Sequence, residues 1–149
     1  MGNAATGLNS DSSRFLMMLQ LGFDKAAALK SAKICASLLE SDRVLGRPEG
    51  ESNFHVFYYL WEGADERIRS KLKLAEIESP APLLEPLRQE EDRAAAKEAW
   101  SCFLSALTSL GASSAQIDGV CATLGAIAHL ARADARACPA ASSRFVRRA

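Results

Sequence analysis

The residues best suited to chemistry lie near the start of the chain. Gly2-Asn3-Ala4-Ala5-Thr6-Gly7-Leu8-Asn9 approaches the spacing of a phosphate-binding P-loop. That motif needs Lys and then Ser or Thr after its second glycine, to reach the β/γ-phosphates and Mg²⁺. Leu8 and Asn9 stand there instead, which excludes a P-loop at this place. Ser12-Ser13-Arg14 sets two hydroxyls beside a guanidinium, but taken without its neighbours it reads as a polar turn. His55 falls in an aromatic stretch and reads as a packed or capping histidine, with no carboxylate at a sequence spacing that would orient it. His129 is expected near a helix end, where the dipole favours it. Cys35, Cys102, Cys121 and Cys138 are widely spaced, form no CxxC and lie outside metal-ligand spacing of either histidine. A structural zinc site is therefore not expected, and the cysteine usage points to a reducing compartment. Cys102 and Cys121 read as buried thiols on apolar helical faces.

These groups must be positioned by the elements around them. Gly2 to Ser13 is small and polar and reads as a loop. Arg14 to Phe23 is a continuous apolar run that predicts a buried strand. Lys25 to Leu39 is ambiguous, with Ala26-Ala27-Ala28 favouring helix by propensity and Ile34 to Leu39 fitting a strand or a helix end. Gly46-Arg47-Pro48-Glu49-Gly50 is a break. Asn53 to Glu62 predicts an amphipathic helix with Phe54, Phe57, Tyr58 and Trp61 at i, i+3, i+4 and i+7, capped by Ser52 or Asn53 and ended by Gly63. Four such aromatics represent on the order of 15–25 kcal/mol of gross apolar burial, so this face must meet a core.

Asp65 to Leu74 predicts a shorter helix, and the prolines of Glu78 to Glu85 an irregular connector. Gln89 to Leu110 predicts a long helix with Trp100, Phe103, Leu104 and Leu107 on one face. Its acidic start, Glu90-Glu91-Asp92, reads as solvated and suits the helix dipole. Gly111 ends it. Ser113-Ser114-Ala115-Gln116 is a capping-box pattern opening a last helix with Ile117, Val120, Cys121, Leu124, Ile127 and Ala128 on one face. From Ala131 the pattern dissolves into a frayed tail containing Arg132, Arg136, Arg144, Arg147 and Arg148.

The 149 residues suffice for one core, and 18 Lys+Arg balance 18 Asp+Glu. Zero net charge argues against a dedicated nucleic-acid or anionic-membrane surface. No apolar run approaches the roughly 20 residues that span a bilayer, and Met1 to Thr6 lacks the basic and apolar regions of a secretory signal. A helix-turn-helix DNA binder is disfavoured, because the last helix up to Ala131 is nearly free of Lys and Arg.

Read together, the ordered segments resemble the myosin motor domain. Gly2-Asn3-Ala4-x-Thr6 followed by Asn9-x-x-Ser12-Ser13-Arg14-Phe15 is similar to its switch I. Leu38-Leu39-Glu40-x-x-Arg43-Val44 is similar to the segment after the next strand. Pro48-Glu49-Gly50-Glu51-x-Asn53-Phe54-His55-Val56-Phe57-Tyr58-Tyr59-Leu60 is similar to the family's Glu-Arg-Asn-Phe-His-x-Phe-Tyr helix. The Trp100 to Gly111 helix and the helix ending Ala126-Ile127-Ala128-His129-Leu130 follow in order. The wording Phe57-Tyr58-Tyr59-Leu60, with Leu72-Lys73-Leu74 and Glu90-Glu91, leans toward class XVIII myosins.

The resemblance implies an α/β, predominantly helical fragment: one or two N-terminal strands of the myosin P-loop-NTPase-type sheet, with exposed edges, then about four helices packed as a bundle-like half. It implies a partial motor domain over residues 1–131 and a flexible Arg/Ala/Ser-rich tail over 132–149. It implies ATP and Mg as cofactors, actin filaments as partner, and a cytoplasmic, cytoskeletal location. Asn9 and Ser12 would contact the phosphates, Ser13 would give its hydroxyl to Mg²⁺, and Arg14 would pair with a glutamate of switch II. Phe15 would anchor the loop into the sheet.

This sequence departs from the family at Asp11 (usually Asn), Ala5 (Lys), Leu16-Met17 (Gly-Lys) and Ser52 (Arg). These changes fit the weak turnover and actin tethering that the class XVIII resemblance implies. The chain holds neither the P-loop Lys nor an Asp-x-x-Gly-Phe-Glu sequence, so by itself it is expected to be inactive. The alternative reading is a helical interaction module without nucleotide binding, associating with a partner or a second copy through its apolar faces.

Overall fold

The computed structural model describes residues 1–77, 83–85 and 87–137, the last six as backbone only. Two antiparallel strand pairs precede four α-helices. The first pair joins β1 (Asn3–Ala4) to β2 (Ser12–Ser13), with Asn3 opposite Ser13 and Ala4 opposite Ser12. The second joins β3 (Leu16–Phe23) to β4 (Leu29–Ser37), starting from Leu16 opposite Ser37, with a register shift at Gly22/Phe23. The helices are α1 (His55–Gly63), α2 (Glu66–Lys71), α3 (Glu90–Ser109) and α4 (Ser114–Ala137). The expected mixture of N-terminal strands and about four helices is thus present. Among the described residues no helix is long and apolar enough to cross a membrane.

The ambiguous stretch Lys25 to Leu39 holds strand β4 rather than a helix, because Asp24 closes a turn at its start. The Asp24 carboxylate accepts from Ala26 N at 2.8 Å and Ala28 N at 3.0 Å, and Ala27 N donates to Asp24 O. This local bonding overrides the helical propensity of three alanines and places Ala27 at φ 60°. The β3 strand forms as expected, but it is not buried. Leu16, Met17, Met18, Leu19 and Leu21 are all exposed, and so are Leu29 and Ile34 on β4. Because consecutive residues point to opposite faces, both faces of the hairpin carry apolar side chains in the open.

The core is helical. Phe54, Val56, Phe57, Tyr58 and Leu60 at and within α1 are buried with Ile68, Leu72, Leu74, Trp100, Cys121, Leu124 and Ala128. α1 is buried on more than the predicted aromatic face, since Val56 and Leu60 are inside as well, whereas Trp61 is only partly covered. Neither Ser52 nor Asn53 caps α1 through its side chain. Phe54 is the N-cap residue, and Asn53 Oδ1 accepts from Phe54 N at 2.7 Å. Nor is Gly63 the C-terminal cap: it is the last helical residue, and a Cβ there would collide with Trp100 Cβ. It lets α1 and α3 approach closely.

Asp65 caps α2 by accepting from Ile68 N at 2.7 Å. Gly111, at φ 85°, ends α3 as expected. The predicted capping box opens α4: Ser113 N donates to Gln116 Oε1 at 2.8 Å, and Gln116 N to Ser113 Oγ at 3.3 Å. Cys121 is buried as expected, but Cys102 is exposed. Two residues beyond Trp100 is about 200° around a helix, so Cys102 faces away from the buried stripe. The backbone of α4 runs on to Ala137, which places His129 inside the helix rather than near its end. Its Nε2 lies 2.9 Å from the Leu72 carbonyl and donates to it. Residues 138–149 of the expected tail, and most of the connector Glu78 to Glu85, lie outside the described residues.

Candidate functional site

The segment from Asn3 to Arg14 folds as a short loop strapped to the entry of α1. Ala5 N donates to Ser52 Oγ at 2.7 Å and Ser52 N to Ala5 O at 3.0 Å, while Ala4 bridges to Phe54. Thr6 closes the tip: Thr6 N donates to Asn9 O at 2.8 Å, and its hydroxyl lies 3.3 Å from that of Ser12. Asn9 is exposed and its side chain is engaged locally, with Oδ1 accepting from Asp11 N at 3.1 Å. Ser12 is partly covered by the Thr6 contact. Ser13 is exposed on β2, and its hydroxyl makes no hydrogen bond among the described residues. An exposed hydroxyl oxygen with no partner among the described residues can serve as one oxygen ligand of a hard cation such as Mg²⁺.

Asp11 would repel a polyphosphate if it faced one. Its carboxylate turns back instead, accepting from Asn3 Nδ2 at 2.9 Å and lying 3.6 Å from His55 Nδ1. A carboxylate thus approaches His55 from the loop, which sequence spacing did not suggest. Half-burial holds the His55 imidazolium back and lowers its pKa, against the opposing pull of Asp11. Burial, then the Asp11 charge, raises that of neighbouring Tyr59.

Arg14 is the most strongly engaged of the predicted residues. Its backbone N donates to Gly2 O at 2.8 Å, and its carbonyl accepts from Glu40 N at 3.0 Å. Its Nε donates to Glu40 Oε2 at 2.6 Å. The same oxygen accepts from Arg43 Nε at 3.0 Å, and Glu40 Oε1 accepts from Arg43 Nη2 at 3.3 Å. Arg43, only 2% exposed, also donates to Glu51 Oε2 at 2.7 Å and to the Ser52 carbonyl at 2.8 Å. Burial alone would raise the Glu40 pKa, but the hydrogen bonds and charges of Arg43 and Arg14 outweigh it and hold the carboxyl below its ordinary range. Burial likewise works against the Arg43 cation, and Glu40 and Glu51 more than restore it.

Sequence reasoning gave no role to Glu40, Arg43 or Glu51. The signal was the i, i+3 spacing of Glu40 and Arg43. A cavity of about 200 Å³ between Tyr58, Trp61, Leu84, Leu87 and Arg93 is separate, since none of its lining residues belongs to the loop.

Comparison with known proteins identifies the family. A family model described as myosin head (motor domain) matches residues 1–142. Mouse unconventional myosin-XVIIIa is 35% identical over 135 residues, covering 90% of this chain and 7% of that protein. Mouse myosin-IIIa is 44% identical over 79 residues, 53% of this chain and 5% of its own length. Myosin-4 of Saccharomyces cerevisiae is 42% identical over 74 residues, 50% of this chain and 5% of its own length. The chain spans less than a tenth of each of these relatives. With the match running through the strapped loop, the hairpin and the helical core, the chain belongs to the myosin head (motor domain) family.

Proposed function

We propose that residues 9–14 act as the nucleotide-facing switch I loop of an actin-based, ATP-dependent motor or tether of the cytoplasmic cytoskeleton. In this reading Asn9 and Ser12 contact the nucleotide phosphates, Ser13 supplies one oxygen to Mg²⁺, and Arg14 closes the site against an acidic group of switch II. Phosphoryl transfer depends mainly on positioning and electrostatic stabilisation, which a hydroxyl and a guanidinium on such a loop can supply. The observation that carries the reading is the Ser13 hydroxyl, exposed and unbonded among the described residues, next in sequence to Arg14, whose guanidinium is anchored on Glu40. The lysine and second acid of such a site are not in this sequence, so the chain alone turns over no ATP above background.

The test is a chimera in which the matching segment of mouse myosin-IIIa is replaced by that of this chain. Titration with a fluorescent ATP analogue and Mg²⁺ is expected to show binding that Ser13→Ala weakens at least tenfold. Unchanged affinity in that variant, with an unchanged circular dichroism spectrum, would refute the role of Ser13.

A second reading, a helical interaction module that self-associates, is favoured by one observation: the apolar residues exposed on both faces of the β3–β4 hairpin. Light scattering decides it. A monomer at tens of micromolar would speak against association through that hairpin.

A further inference from the structure

We infer that Glu40 is a positioning residue for Arg14: clamped by Arg43, it grips one edge of the Arg14 guanidinium and leaves the other edge free for a second acidic group. The two arginines are held very unequally. Arg43 is fixed by Glu40, Glu51 and the Ser52 carbonyl and is buried. Glu40 is therefore pinned by a two-point contact from a side chain that is itself buried. Arg14 is held by its Nε alone, at 2.6 Å, and its side chain is 31% exposed.

Its Nη1 and Nη2 make no hydrogen bond among the described residues. A guanidinium presents five donors in a rigid planar fork, so an anchored Nε edge leaves the Nη pair able to take a carboxylate in bidentate fashion. A free arginine side chain samples many rotamers. Anchoring Nε removes much of that freedom before the second acid arrives. The backbone bond from Glu40 N to Arg14 O keeps the two residues in register. Departure of Arg14 would not orphan Glu40, because Arg43 remains on it.

What the free edge receives rests on the switch I reading; the grip itself does not, and the two are tested separately. The grip is read on the full chain from the arginine Nε–Hε resonances. In the Glu40→Gln variant, rotation about the Arg14 Nε–Cζ bond is expected to accelerate at least tenfold. Arg43, still held by Glu51 and Ser52, is expected to change less than twofold, and Glu40→Asp to be intermediate. An unchanged Arg14 signal overturns the inference. So does equal loosening of both arginines with a fallen melting temperature, which would make Glu40 merely structural.

In the myosin-IIIa chimera, Glu40→Gln is expected to lower kcat at least tenfold with KM within twofold, because the anchored guanidinium acts in closure rather than in nucleotide binding. An unaltered kcat there, beside a damaging Ser13→Ala, overturns the consequence for closure. A harmless Ser13→Ala instead sinks the switch I reading, and the resonances still decide the grip.

Discussion

Replacing Arg43 by Met should be the most costly single change in the loop-to-helix junction. The side chain keeps its apolar length but loses the cation. Four hydrogen bonds go with it: two to Glu40, one to Glu51 and one to the Ser52 carbonyl. Removing one partner of a buried ionic network costs about 3–5 kcal/mol, because the remaining charge is left without compensation. Here the acids stranded are only partly covered, with Glu40 36% and Glu51 19% exposed at their side chains, and water recovers part of the loss. The expected cost is therefore at the lower end, about 3 kcal/mol.

Arg14→Met removes one ion pair between partly exposed side chains and should cost about 1 kcal/mol or less. Urea unfolding followed by tryptophan fluorescence reports both variants, since Trp61 and Trp100 sit in or against the helical core. With a slope of about 1–3 kcal/mol/M, Arg43→Met should lower the midpoint by about 1–3 M. Arg14→Met should lower it by less than a third as much. Equal and small shifts in the two variants would show that Arg43 is not the centre of the network. A changed slope would show that the variant altered the denatured state instead.

Gly63→Ala should destabilise by about 1–3 kcal/mol despite its better helix propensity, because the new methyl collides with Trp100; a stabilised variant in the same urea assay would refute the close approach of α1 and α3. Glu40 has a depressed folded-state pKa, so its stabilising contribution is complete above the ordinary glutamate range and is lost as pH falls through the depressed value. The urea midpoint of the wild type should therefore fall more steeply under acid than that of Glu40→Gln, and parallel curves would refute the linkage. In a Cys138→Ser background, Cys102 should react rapidly with a thiol reagent, whereas Cys121, buried and with its pKa raised first by that burial, should react only on unfolding; fast modification of Cys121 would contradict its placement.

The amino-acid order alone determined the family and most of the local structure. The ordered run from Asn9 through Phe15, Glu40–Arg43 and Asn53–Tyr58 carried the kinship. The spacing of Phe54, Phe57 and Tyr58 placed a buried helix face, and Ser113 with Gln116 announced the start of the last helix. These signals are local: a helical face or a cap depends on residues within one or two turns.

What the chain could not announce was which distant groups meet. The apolar run of β3 predicts burial, but its exposure was decided by the absence, among the described residues, of any element laid over the hairpin. Gly63 reads as a helix terminator, yet Trp100, 37 positions away, decides its role. Asp11 reads as a hazard to phosphate until the fold brings Asn3 and His55 to it. Arg14 reads as waiting for a distant acid, and only the folded chain shows Glu40 already holding one of its edges. Propensity and periodicity fix the geometry along the backbone; pairings across 26 or 37 residues exist only once packing has brought the elements together.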